Sequence, residues 1–227
     1  MAVLQTVPSF FPPRISQYVP AMRYFAAVND IGDTRITFGA PMVAAATGVL
    51  APTSIAVAGS VGASGMLKPE SDLPYGRTIQ VQASGAATST VTIDGYDYLG
   101  QAMTEVLTLN GATAVQGNKA FKRARLITWG ATAGTTITVG PGTRLGLPFK
   151  ALKVLSEEFA QAPVATLGTL TAPFLGVATA TSVDPRGLYT PTSALNGTSE
   201  LTATFMFNNQ VNAANEGGLH GMPHYAA

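Results

Sequence analysis

The sequence predicts an all-β protein: an antiparallel β-sandwich, jelly-roll-like, with extended N- and C-terminal arms and little helix. Three observations carry this prediction. Seven or more short segments rich in Thr, Val and Ile follow one another at intervals of about a dozen residues, separated by Gly, Pro and Asn, as in antiparallel sandwiches. The 227 residues include 24 Gly and 15 Pro, which punctuate strands and break helices. No internal repeat of about 20 to 50 residues is present, which disfavours solenoids and propellers.

Residues 1–30 read as an arm, 31–207 as the sandwich body and 208–227 as a tail. Pro8, Pro12, Pro13 and Pro20 block helix and central-strand pairing in the arm, and Pro20 interrupts any helix over 16–28. The arm nevertheless carries Phe10, Phe11, Tyr18, Tyr24 and Phe25, side chains that need a partner surface. In the body, 34–38 (TRITF) alternates with Ile36 and Phe38 on one face. The uncharged stretch 39–67 exceeds the roughly 20 residues that span a bilayer. Pro41, Pro52 and an Ala/Gly/Ser/Thr-rich composition favour two short strands instead, with turns at Ala51-Pro52 and Gly59-Ser60. Segment 77–83 points Ile79, Val81 and Ala83 inward, and 90–97 with 102–109 form a hairpin about Tyr98-Leu99-Gly100-Gln101. Asn110-Gly111 supplies a turn. Segments 125–129, 135–139 and 199–207 add strands, the last with Leu201, Ala203, Phe205 and Phe207 on one face. Two readings fit 149–161: a helix with Leu152, Leu155 and Phe159 at helical spacing and Pro163 as its stop, or a strand over 151–155. Asn196-Gly197-Thr198 matches a glycosylation acceptor, but the N-terminus does not read as a secretory signal, so the tripeptide reads as a turn.

Composition excludes several functions. The absence of cysteine removes disulfides, thiolate metal sites and cysteine nucleophiles together. Lys+Arg 13 against Asp+Glu 12 gives a net charge of +1, which suits phosphate neutralisation poorly. Only 11% of residues are charged, against about 25% typically, so little charge keeps copies apart and the surface suggests one to be covered. His220 and His224 could hold a metal with Glu216 on a helix, but Pro223, Gly217, Gly218 and Gly221 argue for a flexible tail. Gly62-Ala63-Ser64-Gly65 lacks the spacing of a nucleophile elbow. Gly59, Gly62 and Gly65 lack a nucleotide-binding fingerprint and read as a mobile loop. Glu157-Glu158 are adjacent and diverge, so a solvated turn is the ordinary reading rather than an acid–base pair. Lys119, Lys122, Arg123 and Arg125 form the one basic concentration, beside Phe121 and Trp129. On a strand, Lys122 faces away from Arg123 and Arg125, which favours docking to an acidic protein patch over nucleic acid. No catalytic residue, metal or cofactor is expected.

The hairpin VTIDGYDYLGQAMTEVLTLNG (91–111), continuing through NKAFKRARLITW (118–129), resembles segments of tailed-bacteriophage virion proteins. The stretch DPRGLYTPTSALNGTSELTATFMF (184–207) and the ending GGLHGMPHY (217–225) are similar to the C-terminal parts of phage head-associated proteins, most of all the capsid decoration, or cement, proteins. The resemblance covers about the second half of the chain, and its motifs are structural. It implies a β-rich body made in the host cytoplasm and bound to the capsid exterior in the virion, bridging subunits of the major capsid protein. Self-association as a homodimer or homotrimer is the general expectation for such a component. Its expected contacts are Phe10, Phe11, Arg14, Tyr18, Arg23, Tyr24 and Phe25 in the arm, Lys122, Arg123 and Arg125 in the body, and Leu219, His220 and Tyr225 in the tail. Competing readings are a tail tube or neck protein and a carbohydrate-binding sandwich module. Neither a membrane nor nucleic acid is an expected partner.

Overall fold

A computed structural model of the chain describes residues 31–174 and 176–208. Outside them lie Phe10, Phe11, Arg14, Tyr18, Arg23, Tyr24 and Phe25 of the arm, and Leu219, His220 and Tyr225 of the tail. Among the described residues, regular structure is all strand apart from one 3-10 turn at Ala63–Gly65. No helix there is long and apolar enough to cross a membrane.

The first strand, β1 (Ile31–Gly39), contains the predicted segment 34–38 with Ile36 and Phe38 buried, and extends three residues before it and one after. The uncharged stretch that follows holds β2 (Leu50–Ser54) and β3 (Gly59–Gly62), so both expected turns fall inside strands. Pro52 is tolerated because the β2 pairing is interrupted between Leu50 and Thr53, where its missing N–H is not needed. Gly59 is there for packing, not turning: a Cβ on it would sit 3.1 Å from the Trp129 ring. The expected mobile glycine loop is therefore strand and 3-10 turn.

The next strands, β4 (Arg77–Ala83), β5 (Thr90–Tyr96) and β6 (Ala102–Thr108), follow the predicted boundaries closely. Asp97 shapes the β5–β6 hairpin by accepting the N–H groups of Leu99 at 2.9 Å and Gln101 at 2.8 Å. After β7 (Val115–Gln116) come β8 (Arg123–Trp129) and the eleven-residue β9 (Thr136–Gly146). The ambiguous segment is strand β10 (Ala151–Phe159), followed by β11 (Ala162–Pro163), β12 (Thr169–Thr171), β13 (Leu188–Thr190) and β14 (Leu201–Asn208).

The helix-like spacing in β10 has a physical origin. Its pairing with β14 shifts between Ala151 and Lys153 and again between Val154 and Ser156. Each bulge inserts one residue, so the inward positions Ala151, Val154 and Glu157 recur every third residue rather than every second. Leu152 and Leu155, which a helix would have buried, are instead 54% and 42% exposed.

Three sheets result, and all pairings are antiparallel. The first runs β1-β14-β10-β11; the second runs β12-β13-β9-β4-β7 with β2 also on β9; the third runs β3-β8-β5-β6. These pairings divide the strands among three sheets, where a simple jelly roll has two. One core gathers Ile79, Val81, Val91, Ile93, Ile127, Ile137 and Val139 from the second and third sheets. Another gathers Ile36, Phe38, Leu145, Val154, Tyr189, Leu201 and Phe205 from the first and second, with Phe149 from the connection between β9 and β10. Strand β9 contributes to both. Gly140, at its middle, lies so close to the Ala45 carbonyl that a Cβ would collide with it.

Gly140→Ala is therefore expected to destabilise the protein by more than about 2 kcal/mol, because backbone must move to admit one methyl group. Gly62→Ala, with φ −82° and nothing within 4 Å of the new Cβ, should change stability by less than about 0.5 kcal/mol. Denaturant unfolding of the two variants checks the contrast.

Candidate assembly interface

Three clusters of buried polar and charged side chains lie among the described residues, around Glu157, Arg186 and Glu105. Glu157 and Glu158 diverge as adjacent strand residues must, but Glu157 is no solvated turn residue: it is 1% exposed. Its carboxylate accepts the Tyr189 hydroxyl at 2.6 Å and the N–H groups of Gly168 at 2.7 Å and Thr192 at 3.2 Å. The β10 bulges turn it inward. There it gathers three loop and strand segments onto the first sheet. Burial, together with the bond to Glu157, pushes the Tyr189 hydroxyl well above its ordinary range, so it stays a donor.

In the second cluster, buried Arg186 donates to Asp97 at 2.7 Å, approaches Asp184 at 3.3 Å and lies 4.9 Å from the centre of the Tyr98 ring. Asp184 also accepts the Ala120 N–H at 3.1 Å. The third holds Glu105 and Lys119. Lys119 is buried, donating to the carbonyls of Thr104 at 2.8 Å and of Thr179, so it leaves the expected surface basic group. Glu105 accepts the Asn118 N–H, and burial raises its carboxyl to about 7. A Cβ on Gly117 would run within 2.8 Å of the Ile79 carbonyl and into the same carboxylate, so this turn needs glycine. These arrangements fasten loops to sheets by charge-assisted hydrogen bonds.

The remaining cations separate. Arg123 and Arg125 share the exposed face of β8, and Arg123 pairs with Glu70 at 3.1 Å. Half-buried Lys122 turns back to the Leu73 carbonyl at 2.8 Å. Two arginines thus form the outward basic feature of this segment.

The first sheet presents a more distinctive surface. Asp33, Arg35 and Thr37 of β1 are exposed, and Arg35 meets Glu158 at 2.8 Å. Leu152, Lys153 and Leu155 of β10 are exposed as well, the leucines extruded by the bulges. Strand β1 is the edge of this sheet. Its first residue, Ile31, pairs with Asn208, the last residue of β14. The segments before Ile31 and after Asn208 are therefore joined to the body side by side, beside a sheet edge that no other described strand pairs. Sequence reasoning proposed adhesive ends, but no local signal could place their junctions together. It also missed Glu157, whose place on the three-residue period of Ala151 and Val154 was the available clue.

No family model, curated protein or solved structure matches the chain.

Glu157→Gln should lower stability by about 1–3 kcal/mol, since an amide nitrogen would face N–H donors, while Tyr189→Phe should cost about 1 kcal/mol. Thermal or urea unfolding measures both. For Glu105, the folded carboxyl titrates near 7 and the unfolded one near 4.5, so the native state binds the extra proton between these values. Stability should then fall as pH rises from about 4.5 to about 7, by on the order of 3 kcal/mol, and level off above. Glu105→Gln should flatten that slope in urea titrations run across the range.

Proposed function

We propose that this chain is a structural virion protein that binds the outside of a bacteriophage capsid and cements contacts between subunits of the major capsid protein. The observation that carries the reading is the pairing of Ile31 with Asn208 at the edge of the first sheet. A firmly fastened β body thereby has both terminal segments joined at one place. A cement protein must grip neighbouring subunits across a seam, and two segments starting together can reach to either side of it. Phe10, Phe11, Tyr18, Tyr24 and Phe25 supply large apolar contact area, while Arg14 and Arg23 supply charge-assisted bonds to shell carboxylates. Leu219, His220 and Tyr225 act likewise from the tail. Extended segments can also add to exposed shell strands. The exposed arginines Arg123 and Arg125 suit an acidic patch on the shell, with Lys122 beside them in a supporting role. Many copies on one lattice make modest single contacts effective.

The test is binding of the full chain to shells that lack it, compared with a chain lacking 1–28 and with a Phe10→Ala/Phe11→Ala/Tyr18→Ala variant. Circular dichroism verifies that the body remains folded. Removal of 1–28 is expected to weaken occupancy by on the order of a hundredfold, and the triple variant to do so in part. Unchanged occupancy for both would overturn the reading.

A further inference from the structure

We infer that two copies of this chain pair edge to edge through β1, antiparallel about a two-fold axis at Thr34, joining their first sheets into one. The inference holds independently of what the terminal segments bind.

The longest unpartnered edge among the described residues is β1, with nine residues. The other sheet edges are short or covered: β11 and β7 have two residues each, β12 three, β3 four and β2, which pairs only with β9, five. Strand β6 has its edge contacted by the Val106 N–H bond to the Ala180 carbonyl at 2.8 Å. Exposed edges present unpaired backbone donors and acceptors, and proteins ordinarily blunt them with proline, bulges or charge. In β1 the pairing to β14 is regular from Ile31 to Thr37 and shifts only beyond it. Seven regular residues have their centre at Thr34.

The side chains select the partner. A two-fold axis at Thr34 sets Ile31 opposite the second copy's Thr37, Gly32 opposite the second copy's Ile36, and Asp33 opposite the second copy's Arg35. It uses all seven regular residues and forms two symmetric ion pairs on the exposed face, where cross-strand opposite charges stabilise and like charges repel. Arg35 already meets Glu158 at 2.8 Å, and its five N–H donors can serve both carboxylates. On the other face, the Thr34 Oγ1 is buried without a hydrogen-bond partner. The pairing brings the second copy's Thr34 hydroxyl opposite it, and Gly32 leaves room for Ile36. An isologous contact of this kind closes at two copies. It would also set the two Ile31/Asn208 junctions about 20 Å apart along the shared sheet, six residues at about 3.3 Å each.

Sedimentation of the full chain tests this. The wild type is expected to be a dimer. Asp33→Arg places arginine opposite arginine and Arg35→Asp places aspartate opposite aspartate, twice in each homodimer, so each variant alone should dimerise at least about tenfold more weakly. Mixed in equal amounts, the two variants restore both ion pairs and should form a heterodimer. Circular dichroism of each variant separates lost pairing from lost folding. A monomeric or trimeric wild type, single variants that dimerise as tightly as wild type, or folded variants that stay apart when mixed would overturn the inference.

Discussion

Strand β9 lends Ile137 and Val139 to one hydrophobic core and Leu145 to the other, so neither core can be repacked without disturbing the strand they share. Its two neighbours on one side differ along its length: β2 pairs near its start and β13 near its end, while β4 runs along the opposite side. Serving both cores requires an irregular path. Between the pairs Ile79–Pro141 and Arg77–Leu145, β9 spends four residues where β4 spends two. Gly140 admits the Ala45 backbone at the point where that irregularity begins. The positions of the first and third sheets follow from this one strand.

What the strands do not hold, buried charge holds. The region between β11 and β14 contains only short strands, and Glu157 and Asp184 collect its backbone N–H groups and its Tyr189 and Arg186 side chains. Removing one partner of such a cluster leaves an uncompensated buried group, so the clusters restrict the loops to one arrangement. They also withdraw charge from the surface of a chain that has only 25 Lys, Arg, Asp and Glu residues, 13 basic and 12 acidic. A charge-poor exterior offers little repulsion between neighbours. Extruded Leu152 and Leu155 add apolar area to the sheet whose edge is β1.

This distribution suits a component of an assembly. In the proposed role, load at the chain ends would pass into the β1–β14 pair, and β14 is held on its other side by the long strand β10. Adhesion and self-association would then use adjacent parts of one sheet, the junctions of the terminal segments at one end of β1 and its open edge along the rest.

Local pattern determined most of the strands. The alternation of Ile36 and Phe38, of Ile79 and Val81, and of Leu201, Ala203 and Phe205 predicts the buried face correctly because period two is a property of the extended backbone itself. Where the local rule broke, tertiary contacts were responsible. Two bulges, set by pairing with β14, gave β10 a helical period and turned Glu157 inward. An interrupted ladder excused Pro52, and the Trp129 ring required Gly59. Lys119 looked like a surface cation because nothing nearby in sequence reveals the Thr104 and Thr179 carbonyls that receive it. The pairing of Ile31 with Asn208, and hence the common junction of the two ends, joins residues from opposite ends of the body. Composition and periodicity describe what each segment can bury; only the closed sheets decide which distant segment buries it.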